Sequence, residues 1–311
     1  MAAAVAVVVP ARNAQATLGA ALDGLAAQRG APEAEFVVVD NASSDGTGAL
    51  AAAHPLRPRI VRRDAPGGPG VARNAGVAAT AAPLVAFTDA DCVPDPGWLA
   101  SGVAALAGAD LVQGAVSPPP GETVGPFDRS LWVSGDNGLY QTANLFVTRA
   151  GFDAVGGFED WLDAPRPFGE DTLLAWRLRR GGARAAFCPQ AVVRHAVLPG
   201  TVAQHLAERR RDALFAQLVR HVPELREAAL YRRVFLGRRA ALCDLALAGA
   251  LAANARRSAG PLTLAAPYAL EVAKDARAWR SARVAGVHAA GDVIGAGARL
   301  AGSARWGTVV L

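Results

Sequence analysis

The sequence predicts an α/β fold: a mostly parallel, Rossmann-like sheet with helices on both faces, followed by a helical C-terminal extension. Three observations carry this. Short apolar runs at residues 5–9, 36–39, 60–61 and 84–87 alternate with helical stretches, the pattern of crossover-connected parallel strands. Asp40 follows directly on one such run and Asp89 follows another with only Thr88 between, at the strand ends where ligands bind in these sheets. Beyond Thr201 the strand pattern stops and arginine-studded helical periodicity takes over.

The elements follow in order. Residues 5–10 form a buried strand, stopped by Pro10. Leucines at 18, 22 and 25 give residues 16–28 helical spacing. Residues 36–40 are a second strand, and Ser44-Asp45-Gly46-Thr47 supplies turn and cap chemistry for a helix through residue 53. Ile60 and Val61 mark a short third strand. The loop Pro66-Gly67-Gly68-Pro69-Gly70 opens a helix over residues 71–76, before a fourth strand at 84–87. A helix at 100–107 and a strand at 110–116 come next. Pro118-Pro119-Pro120-Gly121 begins an irregular crossing. A strand at 142–147 leads into a short helix and the turn Gly156-Gly157-Phe158. Gly169-Glu170-Asp171 opens a helix to Arg180, and short strands at 185–187 and 192–193 lead to Arg194 and His195.

From residue 202 the chain reads helical: an amphipathic stretch to 219, then apolar stretches at 240–253 and 262–272, the last interrupted by Pro267. Residues 240–253 are too few, and carry Asp244, so they are not expected to span a bilayer. Two domains follow, 1–200 and 201–311. The first holds 15 basic and 19 acidic residues, the second 17 and 8. An excess of nine positive charges on the extension points to peripheral contact with an anionic membrane; a solvated arginine-rich face is the plainer reading. Cys92, Cys188 and Cys243 are far apart and show no disulfide or zinc spacing, which fits a reducing compartment. The N-terminus has no basic n-region, so no signal peptide is expected, and the protein is placed in the cytoplasm, at the inner face of the membrane.

The chemistry centres on Asp89 and Asp91. At i and i+2 in extended backbone their carboxylates point to one side, where they repel unless a cation lies between them. Oxygen ligands suit Mg²⁺ or Mn²⁺. The glycine-rich loop lacks the spacing of a dinucleotide fingerprint or a P-loop lysine; Lys274 is the chain's only lysine. Nucleic acid is not an expected partner.

Val8-Val9-Pro10-Ala11-Arg12-Asn13, the run from Val38 through Asp40 to Thr47, Ala72-Arg73-Asn74-Ala75-Gly76, Phe87-Thr88-Asp89-Ala90-Asp91 and Gly169-Glu170-Asp171 together resemble the family 2 glycosyltransferases, inverting enzymes of GT-A fold, over roughly residues 5–200. The resemblance implies a nucleotide-sugar donor, UDP-linked, bound by Pro10, Ala11, Arg12, Asp40, Arg73, Asp89 and Ala90. It implies a metal held by Asp89, Asp91 and His195, and Asp171 as general base with Glu170 as the alternative base. Inverting transfer from a diphosphate needs one proton acceptor, since the metal stabilises the leaving group. The acceptor, a glycan or lipid-linked glycan, would lie by Asn144, Gly157 and Trp161, where an indole face stacks on a sugar. Structural readings stand beside these: Asp89 and Asp91 as acids capping the following turn, Asp40 as a turn cap, Glu170 and Asp171 as charges at a helix start, His195 as a structural side chain, and Phe158 and Trp176 as core packing. Two other functions stay open at this stage. One is a phosphatase using Asp89 as nucleophile; the other is a non-catalytic nucleotide-sugar binder.

Overall fold

A computed structural model describes residues 3–159 and 168–311. The chain forms two compact units: Met1–Thr123 with Ser130–Val197, and Val124–Arg129 with Leu198–Leu311.

The first unit contains β1 (Val5–Ala11), α1 (Leu18–Ala26), β2 (Ala34–Asn41), α2 (Thr47–Ala53), β3 (Arg59–Arg63), α3 (Pro69–Ala78), β4 (Leu84–Thr88) and β5 (Cys92–Pro94). It continues with α4 (Trp98–Leu106), β6 (Leu111–Ser117), β7 (Asn144–Thr148), α5 (Arg149–Ala154), α6 (Glu170–Arg180) and β8 (Ala185–His195). The strands make one sheet in the order β3-β2-β1-β4-β7-β6-β8-β5. The β1–β2, β1–β4, β2–β3 and β6–β8 ladders are parallel, while β4–β7, β6–β7 and β5–β8 are antiparallel. Val5 through Val9 are fully buried, as expected of a strand covered on both faces. α3 lies close over β1 and β2 because residue 76 is glycine; a Cβ there would come within 2.9 Å of the Val39 side chain.

The sequence pattern splits β8 at Pro189 into two short strands, yet the chain runs through as one. Pro189 falls outside the stretch that pairs with β5, so its missing N–H breaks no bond of that ladder. β5, at three residues, is too short for a periodic signal. It nevertheless pairs Cys92 with His195.

The second unit comprises α7 (Val202–Arg209), α8 (Leu214–His221), α9 (Leu225–Ala228), α10 (Arg238–Arg256), α11 (Ala266–Ala278) and α12 (Ala282–Trp306), with 3₁₀ turns at Arg210–Ala213 and Gly260–Ala265. Thr201 and Gln204 form a reciprocal capping box on α7. Pro267 does not interrupt α11; it sits in its first turn, where a missing N–H is harmless. α12 is rich in glycine, a poor helix former, and its sequence gives little helical signal. Tertiary packing requires several of those glycines: a Cβ at Gly295 would lie 2.7 Å from Asp212 Oδ2. Inside this unit Arg299, 4% exposed, reaches Asp244 at 2.9 Å and Asp212 at 3.4 Å.

Candidate active site

Because β7 runs opposite to β4 and β6, the carboxyl ends of β1, β2, β4, β6 and β8 meet along one edge of the sheet. Asp89 and Asp91 follow β4 there, and His195 closes β8 beside them through the Cys92 pairing.

Arg73 organises the acidic side of the edge. It projects from α3, is 4% exposed, and places Nη2 2.7 Å from Asp89 Oδ1 and Nη1 3.4 Å from Glu170 Oε1. The Phe158 ring lies against it, 5.7 Å from Cζ to centroid. Burial works against the guanidinium charge, but Asp89, Glu170 and Asp171 outweigh it and hold the pKa above its ordinary value. Glu170 and Asp171 start α6, after Gly169 in the left-handed conformation at φ 76°. Asp171 is partly buried. It accepts from the Thr172 N–H at 2.8 Å and the Thr142 N–H at 3.4 Å. Desolvation first and the Glu170 charge second push its pKa up to about 7, against the pull of Arg73. A carboxyl tuned to neutrality is matched to general-base work at physiological pH.

Asp91, Cys92 and His195 form the neighbouring cluster, with one potential ligand atom from each lying within 4.8 Å of the others. His195 Nδ1 is 2.8 Å from the Ala196 carbonyl, an acceptor, so Nδ1 carries the proton and the Nε2 lone pair is left facing Asp91 Oδ2 at 3.7 Å. In the neutral form of the ring, Nε2 and the Asp91 carboxylate are two lone-pair groups that a divalent cation could join, and a carbonyl-anchored Nδ1–H is the usual support of a metal-ligating histidine; in the protonated form the same pair is a salt bridge. Burial and the Asp89 charge raise the Asp91 pKa, with His195 opposing. Cys92 is buried, and desolvation with the Asp89 and Asp91 charges raises its pKa well above normal. As a neutral thiol its Sγ lies 3.7 Å from Asp91 Oδ1, so it serves Asp91 as a weak donor. Cys92 enters this cluster through β5, a strand of three residues that leaves no periodic mark in the sequence.

At the same edge, Ala11 pairs with Asp40 in the β1–β2 ladder. Pro10 is partly buried, Ala11 and Ala90 are buried, and Arg12 is exposed just beyond β1. Asp40 is 2% exposed; Oδ1 accepts from the Ser43 N–H at 3.0 Å, capping the turn, and Oδ2 faces Gly48, where a Cβ would approach to 2.7 Å.

Of the residues assigned to the acceptor side, Asn144 and Gly157 are described. Asn144 is wholly buried, and its amide is spent on protein: it accepts from Trp98 Nε1 and donates to the Ala115 and Ala191 carbonyls, all at 2.8 Å. Gly157, at φ 73°, sits where a Cβ would come within 2.7 Å of Asn74 Oδ1. Asn74, unassigned from sequence, clamps this turn by accepting from the Phe158 N–H at 2.9 Å and donating to the Phe158 carbonyl at 2.8 Å. It thereby seats Phe158 against Arg73. Trp161 lies outside the described residues.

The sheet with its acidic edge defines a GT-A-like glycosyltransferase domain. Residues 6–157 match the model described as Glycosyl transferase family 2, and that segment of the chain belongs to the family. Glycosyltransferase AglE of Haloferax volcanii is 30% identical over 173 residues, covering 51% of this chain and 57% of AglE, so the chain spans little more than half of that relative. Among solved structures, the mannosyltransferase PcManGT of Pyrobaculum calidifontis, in complex with GDP-Man and Mn²⁺, superposes with a TM-score of 0.61 at 24% identity, over 95% of this chain and 87% of that one. S. aureus TarS 1–349, in complex with UDP-GlcNAc, gives 0.52 at 19% identity, over 71% and 72% of the two chains. At such identities these likenesses show the fold.

Proposed function

We propose that the protein transfers a sugar, with inversion, from a nucleotide diphosphate sugar to a glycan or lipid-linked acceptor. The observation that carries this reading is the Arg73-centred cluster, in which one buried guanidinium bonds Asp89 after β4 and Glu170 at the start of α6 and lies within electrostatic reach of the Asp171 carboxyl, whose pKa is pushed up to about 7. Family placement argues against the phosphatase alternative, and the raised carboxyl argues against a silent binder.

In this reading Asp89, Asp91 and His195 would hold a Mg²⁺ or Mn²⁺ ion, which when bound neutralises the departing diphosphate. Asp171 accepts the proton of the acceptor hydroxyl as that oxygen attacks the anomeric carbon, and the bond to the diphosphate oxygen breaks. Glu170, tied to Arg73, holds α6 in place and keeps a second negative charge next to Asp171. Pro10, Ala11, Arg12 and Asp40 line the edge where the base of the donor would lie. The donor is taken to be UDP-linked. The nucleotides bound by the two structural neighbours, GDP-Man and UDP-GlcNAc, differ from each other and do not choose between bases. The acceptor is taken to be presented at the cytoplasmic face of a membrane, contacted through residues 201–311.

A donor panel tests the reading. UDP-, GDP- and dTDP-sugars are titrated with and without Mn²⁺ while thermal stability is followed. UDP-sugars should raise Tm, and more so with Mn²⁺; a chain indifferent to every nucleotide sugar in both conditions would overturn it.

A further inference from the structure

The end of α10, the Gly260–Ala265 turn and the start of α11 form a hairpin whose outward side is apolar. Leu245, Ala248, Leu251 and Ala255 are all exposed on α10. Their spacing of three, three and four puts them on one helix face. A helix on a globular surface normally shows the reverse, with polar residues outside. Leu251 is 72% exposed. Past the tip, Leu262 is 50%, Leu264 41% and Leu270 65% exposed. These side chains are not spare core. Gly249, on the stripe of α10 that flanks Leu245, is buried against the turn, where a Cβ would meet the Pro261 carbonyl oxygen at 2.6 Å. The inner side of the hairpin is therefore already packed, and the leucines are what remains outside.

Charge identifies what covers them. No acidic residue occurs between Asp244 and Glu271, and the charges in that span are Arg256 and Arg257. Both are exposed at the α10 end, where Arg257 at φ 49° turns the chain. Outward leucines flanking a doubly cationic tip match an anionic lipid surface: acyl chains take the leucines, and headgroup phosphates take the guanidinium groups. Among the described residues no helix is long and apolar enough to cross a membrane, which fits a hairpin lying in the interface.

We infer that residues 245–270 are the membrane-docking element of this chain, inserting Leu251, Leu262, Leu264 and Leu270 into an anionic bilayer surface with Arg256 and Arg257 among the headgroups. The inference rests on the proposed membrane contact of residues 201–311 and localises it.

The test is flotation of the full chain with vesicles of phosphatidylcholine alone or with one quarter phosphatidylglycerol. The wild type should float with the anionic vesicles, and less so at high salt. Replacing Arg256 and Arg257 by Gln should weaken partitioning by about fivefold for each charge removed. Leu251→Ser with Leu262→Ser should reduce flotation at least tenfold while leaving Tm and nucleotide-sugar binding unchanged, since both side chains are exposed. If the wild type floats but both double variants float equally well, the hairpin assignment falls and the broader contact stands. If the wild type does not float, both fall, while the donor panel still judges the catalytic reading independently. If the leucine variants instead convert a dimer to a monomer without changing flotation, the surface is a self-association face and the inference is overturned.

Discussion

Arg73 Nη2 stands 2.7 Å from Asp89 Oδ1, and its guanidinium also reaches Glu170 at 3.4 Å. This buried cation holds α3, the end of β4 and the start of α6 in one arrangement. Arg73→Ala leaves two carboxylates facing each other without compensation. It should cost about 2–4 kcal/mol in denaturant unfolding, the lower part of the range for a broken buried pair because Asp89 keeps access to water. Arg73→Lys should recover little, since a point charge on a flexible stem does not replace a planar fork holding two acids.

Asp171 sets the pH dependence. Its folded-state pKa of about 7 lies above the ordinary 3.8. Activity should rise as pH passes through 7 and the base ionises, giving the acidic limb of a kcat/KM profile. In the Arg73 variants that limb should move to higher pH, because Arg73 lowers the Asp171 pKa. A limb below pH 5 in the wild type would contradict Asp171 as base.

The same shift makes a stability prediction of opposite sign. A carboxyl whose pKa rises on folding contributes stability in full below its unfolded pKa, and that contribution is lost as pH rises through the folded value. Asp171→Asn should therefore abolish transfer yet stabilise the fold above pH 7, on the order of 1–3 kcal/mol at about 1.4 kcal/mol per pKa unit. The gain should vanish towards pH 4. Thermal melts across that range check it. An active site that opposes folding is the usual trade of stability for function.

His195 and Asp91 make a prediction about metal. His195 Nδ1 is committed to the Ala196 carbonyl and Nε2 faces Asp91. His195→Ala should weaken Mn²⁺ binding at least tenfold by calorimetry with little effect on Tm in the absence of metal. An unchanged Mn²⁺ affinity would remove His195 from the ligand set.

How much of this could be read in the chain depends on what each residue's role rests upon. Asp89, Asp91, Glu170 and Asp171 were visible because strand ends and helix starts are local. But Asp89–Cys92 is a turn closed by the Cys92 N–H on the Asp89 carbonyl at 3.1 Å, not the extended backbone that the i, i+2 spacing suggested, and the two carboxylates meet different partners, Arg73 and His195. The distance between Asp89 and Glu170 was not visible, because it is set by Arg73 from a third element. Asn144 looked like an acceptor-side residue from its position, but its amide is consumed by Trp98, Ala115 and Ala191, partners that only the packing of α4 and β8 on β7 supplies. Asn74 and Cys92 act through a turn and a three-residue strand, neither of which leaves a periodic signal. In the second unit the hydrophobic pattern marked α10 as apolar without saying which way it faces.

Arg299 offers a last test, independent of the catalytic chemistry. It is 4% exposed and reaches Asp212 and Asp244 within one helical unit. Burial raises the pKa of both carboxyls; Arg209 and then Arg299 oppose the rise at Asp212, and Arg299 opposes it at Asp244. Arg299→Met keeps the volume of the stem and removes the charge, so each aspartate must then take up a proton or remain buried and unpaired. At pH 8 the substitution should cost roughly 3–5 kcal/mol, as for a buried pair broken on one side. Near pH 5 part of that cost should disappear, because both carboxyls are protonated more readily in the variant than in the unfolded chain. Urea unfolding of the variant and wild type at the two pH values measures the difference. A cost independent of pH would mean that Arg299 acts by packing its stem, and that the two aspartates find other partners when it is gone.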